Sequence, residues 1–196
     1  MKETKNILIV GVGGQGAILI SKILTNGLLA AGYDLKQSEV HGMAQRGGSV
    51  STQVRYGEKV YGPVFGKGEA DIMIALEKME ALRYAEYLRP DGLAVINDYE
   101  QDSLTTSCGL EDYPEGCLEA MKEKFRVLSL KAGEIAVSLG SARCMNVVLF
   151  GALADSLDAP GADWEKAVRE SVPPKFLELN IRAFEAGREA VAGQKG

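Results

Sequence analysis

The chain has 196 residues, of which 46% are hydrophobic and 25% charged, and its formal net charge is −5. That length suits one domain, residues 1–196, with a sizeable core, and that balance belongs to an ordinary globular protein. The acidic balance disfavours nucleic acid as a partner, no run approaches the roughly 20 apolar residues of a membrane span, and the polar start Met1–Lys5 lacks a signal-like core behind it, so a cytoplasmic location is the expectation.

A short apolar run, Asn6–Val10, reads as the first strand. It meets a glycine cluster, Gly11-Val12-Gly13-Gly14-Gln15-Gly16, behind which a helix over 16–31 begins, with Ile18, Leu19, Ile23, Leu24, Leu28 and Leu29 as its expected buried side. Glycines let the backbone turn sharply and let a ligand approach it closely. A helix start behind such a turn offers open N–H groups to a phosphate or carboxylate. The G-x-G-x-x-G spacing after a strand is the dinucleotide fingerprint, which also asks for an acid about 20 residues on. Glu39, in a second strand over 35–40, is the candidate. Three readings stand at this point: a nicotinamide or flavin dinucleotide, another anionic ligand, or a tight turn only.

The next stretch, His41-Gly42-Met43-Ala44-Gln45-Arg46-Gly47-Gly48-Ser49, holds the sole histidine of the chain. Ligands of open α/β sheets gather at the carboxyl ends of strands, so this loop should lie beside the first. Arg46 could clamp a carboxylate or phosphate, and Gly47-Gly48 could expose backbone donors. His41 could serve as acid, base or donor, or make a structural or subunit contact. With one histidine, a His-based metal site and a Ser-His-Asp triad are both disfavoured, and no G-x-x-x-x-G-K-[ST] occurs.

Val50, Thr52, Val54 and Tyr56 then alternate with polar residues, which predicts a half-exposed strand; Lys59–Val64 is expected to return as the second arm of an antiparallel hairpin. The parallel pattern resumes with a strand at 70–76, a helix at 77–88 carrying Met79 and Leu82 inward, a turn at Pro90-Asp91-Gly92 and a strand at 93–97. Residues 99–115 read as surface loop, 116–124 as helix and 126–130 as strand. The remainder is helical: 132–139, 144–156, 163–171, and a last helix opened by Pro173-Pro174 with Leu177, Ile181 and Phe184 as its apolar stripe. Asp71, Glu77 and Asp98 fall at strand ends and read as caps or surface groups. The predicted fold is α/β: three-layer, Rossmann-like, a mostly parallel sheet with an antiparallel hairpin and a helical C-terminal part.

Cys108, Cys117 and Cys144 form neither a disulfide framework nor a C-x-x-C knuckle. They read as buried or incidental thiols, and the sequence carries no recognisable redox centre or metal site.

Three segments together resemble one family, the gamma-type chain or domain of the 2-oxoacid:ferredoxin oxidoreductases: Asn6–Gly16, Glu39–Val50, and Asn146-Val147-Val148-Leu149-Phe150-Gly151-Ala152-Leu153 with the closing helix. The resemblance covers most of the chain. It implies oxidative decarboxylation of a 2-oxoacid to an acyl-CoA with electrons passed to ferredoxin, the arylpyruvate branch acting on indolepyruvate. It further implies a larger alpha subunit as partner, carrying thiamine diphosphate and the iron–sulfur clusters, because this chain lacks cluster cysteines and a Gly-Asp-Gly diphosphate motif; the nearest string is Pro90-Asp91-Gly92. This chain would complete a shared site, with coenzyme A as a candidate ligand and no cofactor held firmly by this chain alone. Gly11, Gly13, Gly14, Gln15, Gly16, Gln45, Arg46, Gly47, Gly48 and Ser49 are the candidate site residues. A free-standing NAD(P)- or FAD-binding protein is the alternative.

Overall fold

The computed structural model describes residues 3–40, 47–102, 108–109 and 112–194. Its centre is β1 (Lys5–Val12), whose Ile7, Leu8, Ile9 and Val10 are all buried. A strand buried on both faces reads as a continuous apolar run rather than an alternating one. β1 leads through the glycine turn into α1 (Ala17–Ala30), then β2 (Asp34–Val40). β3 (Ser49–Gly57), β4 (Ala70–Ala75), α2 (Lys78–Arg83), β5 (Leu88–Asn97), α3 (Cys117–Lys124) and β6 (Arg126–Leu130) follow. Four helices close the chain: α4 (Ala132–Ser138), α5 (Met145–Ala154), α6 (Trp164–Ser171) and α7 (Leu177–Ala190).

The six strands form one sheet in the order β2-β3-β1-β4-β5-β6. β1, β4, β5 and β6 pair in parallel, while β3 is antiparallel to both of its neighbours. The α/β architecture predicted from the sequence is present, including an antiparallel hairpin, but its arms differ. The second arm is β2, not Lys59–Val64. Residues 58–69 make no strand. Pro63 has no N–H to give a ladder, and the nearby amides of Val60 and Phe65 go instead to the side chains of Asp34 and Gln53, at 2.9 Å each.

Two further corrections concern the middle of the chain. Pro90-Asp91-Gly92 is no turn: β5 runs through it, and the pairing with β4 jumps from Ala70↔Leu88 to Ile72↔Leu93, which is an irregular bulge. The helix predicted over 77–88 stops at Arg83, and its buried residues are Glu80 and Ala81 rather than Met79 and Leu82. The inward side of α2 meets hydrogen-bonding partners, so the buried stripe is shifted from Met79 to the neighbouring carboxylate of Glu80.

One sheet face is covered by α1, α4, α5, α6 and α7, whose apolar residues merge with Ile7, Ile9, Ile74 and Val95. The other face carries α2 and α3 against Leu8, Val10, Met73, Ala94 and Ile96. α5 is buried from Asn146 to Ala154 because it lies under α7. The two helices approach through a pair of glycines: a Cβ on Gly187 would stand 1.9 Å from the Val148 carbonyl oxygen, and one on Gly151 would stand 2.1 Å from that of Phe184. Phe150 closes this layer with rings of Trp164 at 5.7 Å and Phe184 at 6.1 Å. Among the described residues no helix is long and apolar enough to cross a membrane.

Candidate functional site at the carboxyl edge of the sheet

The carboxyl ends of β1, β4, β5 and β6 place several loops together, the usual location of ligand sites in open α/β sheets. The glycine turn after β1 is braced from within. The Gln15 amide donates to the Val12 carbonyl at 3.1 Å, and Gln15 Oε1 accepts the Val12 N–H at 2.8 Å. Gln15 Nε2 reaches Gln101 at 2.8 Å, tying the turn to the segment after β5. Gln15 therefore shapes the turn rather than offering its amide freely to a ligand. Gly16 opens α1 with φ 92°, and its carbonyl accepts Asn146 Nδ2 at 3.2 Å. A Cβ there would lie 2.2 Å from that nitrogen, so both the backbone angle and the contact with α5 require glycine.

The two glycine-rich segments meet. Gly13 N–H donates to the Gly48 carbonyl at 2.8 Å, and Gly47 N–H returns to the Gly13 carbonyl at 3.2 Å. These bonds extend the β1–β3 ladder beyond Val12↔Ser49. The structure thus brings together Gly11, Gly13, Gly14, Gly16, Gly47, Gly48 and Ser49 as the spacing anticipated. His41, Gln45 and Arg46 lie outside the described residues.

Beneath Ser49 lies an acidic network of Glu77, read from the sequence as a cap or surface group, and Glu80, which the sequence reading did not single out. Glu77 is the N-cap of α2, accepting the Glu80 N–H at 2.9 Å, and it is fully buried. Its other oxygen accepts the Tyr113 hydroxyl, whose own oxygen accepts the Met79 N–H at 3.2 Å. Glu80, also buried, accepts Ser49 Oγ on one oxygen and Arg83 Nε, at 3.1 Å, on the other. The Tyr84 hydroxyl lies 3.3 Å from the same Ser49 Oγ. Burial pushes the Glu80 carboxyl above its ordinary value, with Ser49 and Arg83 pulling it back and Glu77 adding to the rise. Tyr113 is pushed up by burial and by Glu77.

On the other side of the glycine turn a cleft of about 960 Å³ opens. Gly14, Gln15 and Gly16 form one wall; Tyr99 and Gln101 come from the end of β5, Lys131 and Val137 from β6 and α4, and Arg143 with Met145 from the approach to α5. Lys131 is paired with Glu134 at 2.9 Å, but the Arg143 guanidinium has no carboxylate partner among the described residues. Tyr99, Val137 and Met145 make the cleft partly apolar. Asn97, fully buried, fixes its floor: Nδ2 donates to the Leu76 carbonyl at 3.1 Å, and Oδ1 accepts the Ala132 N–H at 2.9 Å. A cation, open amides at a helix start and an apolar wall can together hold a molecule with an anionic end and an apolar or aromatic body. Asn97, Tyr99, Lys131, Arg143 and Asn146 were not singled out as site residues from the sequence; the rule that strand ends gather ligands, applied to β5 and β6 as it was to β1, points to the first three.

The dinucleotide reading asks Glu39 to face the turn. Glu39 is on β2, and β3 separates that strand from β1, a displacement of about 10 Å at ordinary strand spacing. Its carboxylate bonds Ser21 Oγ at 3.2 Å and Gln37 Nε2 instead. Pro90-Asp91-Gly92 lies at the opposite edge, where Asp91 is held by Arg89 at 2.8 Å, and it does not form a diphosphate loop. Cys117 and Cys144 are buried, which raises both thiols, while Cys108 is exposed. No group of three metal-ligating side chains occurs among the described residues.

Residues 6–190 match the family model described as pyruvate ferredoxin/flavodoxin oxidoreductase. An indolepyruvate oxidoreductase subunit IorB from Thermococcus kodakarensis is 41% identical over 204 residues, covering 100% of both chains. A ketoisovalerate oxidoreductase subunit VorA from Methanothermobacter thermautotrophicus is 28% identical over 190 residues, which is 93% of this chain and 35% of that one. The solved 2-oxoglutarate:ferredoxin oxidoreductase from Magnetococcus marinus, with 2-oxoglutarate, coenzyme A and succinyl-CoA bound, superposes with a TM-score of 0.75 at 18% identity over 98% of this chain and 32% of that chain.

Proposed function

The chain belongs to the pyruvate ferredoxin/flavodoxin oxidoreductase family, as a subunit-type chain of an oxoacid:ferredoxin oxidoreductase, and on that premise we propose that it completes an enzyme oxidising arylpyruvates. The reaction is oxidative decarboxylation of indolepyruvate or a similar 2-oxoacid, giving the arylacetyl-CoA and carbon dioxide while ferredoxin takes the electrons. Full-length similarity to an indolepyruvate oxidoreductase subunit supports the arylpyruvate over other 2-oxoacids.

The observation that carries the reading is the cleft at the carboxyl edge, where the glycine turn, an apolar wall and Arg143, with no carboxylate partner among the described residues, converge. These residues fit coenzyme A: a guanidinium and helix-start amides suit its phosphates, and Tyr99 and Val137 suit its less polar parts. In this reading Arg143 binds the anion, Gln15 and Asn146 keep the turn in shape, and the apolar wall excludes water. Thiamine diphosphate on the larger partner chain supplies the decarboxylation chemistry, and iron–sulfur clusters there carry electrons to ferredoxin. This chain contributes binding and enclosure.

Substrate profiling of the complex purified through this chain tests the proposal. Coenzyme A-dependent ferredoxin reduction should be faster with indolepyruvate than with pyruvate or 2-oxoglutarate, and absent from the isolated chain. Micromolar binding of NADH or FAD by the isolated chain would instead favour a free-standing dinucleotide-binding protein. The displacement of Glu39 from the glycine turn argues against that outcome.

A further inference from the structure

Two carboxamides meet in the carboxyl-edge cleft, and both line it. Gln15 is held in one orientation by its surroundings. Its Oε1 accepts the Val12 N–H at 2.8 Å. A Cβ on Gly11 would stand 2.9 Å from that oxygen and 2.8 Å from the Leu76 side chain, so the Gln15 side chain fits against the turn because residue 11 has none. Nε2 is then directed at Gln101 Oε1, 2.8 Å away and 86 residues along the chain. Gln15 thus spends one end of its amide on the backbone of the turn and the other on the facing wall. A displacement of Gln101 reaches Val12 through a single planar group.

Gln101 follows a segment that is anchored up to the residue before it. Asp98 N–H donates to the Leu130 carbonyl at 2.8 Å, and Lys78 N–H donates to the Tyr99 carbonyl at 3.2 Å. Lys78 Nζ also holds Asp98 at 3.3 Å and Glu100 at 2.7 Å. Residues 98–100 are therefore fastened to β6 and α2, and Gln101 links them to the turn after β1. Tyr99 lines the same cleft, and a Cβ on Gly133 would stand 3.9 Å from its ring. The gap between the start of α1 and the Tyr99 wall is thus bridged at Gln101. A ligand that touches both walls depends on that gap, because binding geometry must be held within about 0.5 Å by supporting hydrogen bonds.

Both members of the tie are neutral. An acid at either place would set a negative charge beside the helix-start amides and Arg143, and an aliphatic would leave the opposite amide unbonded. A pair of carboxamides fixes the spacing and leaves the positive charge of Arg143 for the ligand.

We propose that Gln101 is a positioning residue: acting through Gln15, it sets the gap between the start of α1 and the Tyr99 wall, and with it the affinity for coenzyme A. The proposal rests on the coenzyme A reading of the cleft and assigns that reading a residue that acts at one remove from the ligand.

The test is made on the purified complex carrying Gln101→Leu, which keeps the bulk of the side chain and removes its acceptor. In coenzyme A-dependent ferredoxin reduction the KM for coenzyme A should rise about fivefold, the worth of one neutral hydrogen bond. At the same time kcat at saturating coenzyme A and the KM for indolepyruvate should stay within about twofold of wild type. A merely structural role would lower kcat or the active fraction instead of this one constant. In the same complex without coenzyme A, amide hydrogen exchange over Val12–Gly16 should quicken about fivefold, since the acceptor of the Val12 N–H is no longer held. Gln15→Met cuts the tie from its other end, and adding Gln101→Leu to it should change the coenzyme A KM by less than about twofold. An unchanged coenzyme A KM in Gln101→Leu, unchanged exchange, or an equal rise in the KM for indolepyruvate would each overturn the positioning assignment. So would a further full rise in the Gln15→Met background, which would mean that Gln101 meets the ligand itself. Ferredoxin reduction by the wild-type complex that does not depend on coenzyme A would overturn the coenzyme A reading, and this proposal with it, whatever the exchange shows.

Discussion

The two edges of the sheet use charge in opposite ways. At the amino edge a cavity of about 510 Å³ is lined by Lys5, Asp71, Arg89 and Asp155 among others. Several of its charges meet each other: Arg89 contacts Asp71 at 2.5 Å and Asp91 at 2.8 Å, Asp71 also accepts the Asn6 N–H at 2.7 Å, and Asp155 pairs with Arg188 at 3.0 Å, whereas Arg126 and Asp158 line it outside these pairs. At the carboxyl edge Glu77 and Glu80 are buried under Ser49, Asp98 and Glu134 are held by Lys78 and Lys131, and Arg143 stands in the cleft without a carboxylate partner among the described residues. An edge whose central charges are paired with one another has less left to offer a ligand. An edge with an open cation, open helix-start amides and a fixed floor retains binding capacity, and it lies where the strand direction places ligand sites.

The largest expected effect that would sharpen this contrast comes from the buried acids. Glu77→Ala leaves the Tyr113 hydroxyl and the Glu80 N–H without their acceptor in a buried setting, a loss of about 2–4 kcal/mol. Asp71→Ala at the amino edge removes partners that are part-exposed and can turn to water, a loss of about 1 kcal/mol. Urea unfolding of both variants compares them directly. Equal losses would mean that the carboxyl-edge network is no more tightly built than the surface pairs.

A smaller effect separates binding from stability. Arg143→Ala should weaken coenzyme A binding to the assembled complex about tenfold, roughly 1.4 kcal/mol, because a charge-assisted contact is lost, and should leave the melting temperature unchanged. Arg89→Ala should do the reverse, lowering the melting temperature slightly with coenzyme A affinity intact. Calorimetric titration and thermal melts of the two variants supply all four values. An Arg89 variant that loses affinity would move the ligand site to the amino edge.

Sequence reasoning reached the central features because they are periodic or local. β1 and β4 are legible as unbroken apolar runs and α7 as a helical stripe; α1 is legible as a helix, with Ile23, Leu24 and Leu28 buried as expected, but Ile18 and Leu29 face solvent and Ile20 is buried in their stead. The pairing of Gly13 with Gly47 and Gly48 followed from placing two glycine loops at one edge. What escaped depends on tertiary partners. The alternation at Val50–Tyr56 identifies a strand but not its neighbours, so β3 was paired with residues 59–64 instead of being set between β2 and β1. Glu80 lies one residue from the Met79 that the helical period turns inward, and Ser49, 31 residues away, together with Arg83, makes a buried carboxylate tolerable there. Arg143 sits in a short turn with no motif around it, and its place in the cleft is fixed by how α5 packs against Gly16.

The smallest effect concerns Glu80 and pH. Burial raises this carboxyl above 4.5, so the folded chain holds the proton more tightly than the unfolded chain does. Between the unfolded and folded values the native state therefore binds more protons, and stability falls as pH rises through that window. The groups around it set the size of the fall: Glu77 enlarges it, while Arg83 and the Ser49 hydroxyl reduce it. Glu80→Gln cannot titrate, yet its amide oxygen can still accept Ser49 Oγ. Its stability relative to wild type should improve from about pH 4 to about pH 7, read as the change in urea midpoint of each protein. A gap that stays flat, or that moves in favour of wild type, would mean that the pair with Arg83 outweighs the cost of burial. Coenzyme A affinity of the assembled variant should match wild type, because the Ser49 anchor and the Gly48–Gly13 bond beside it persist. A glutamine that changes affinity but not pH response would move Glu80 from supporting the loop to shaping the cleft.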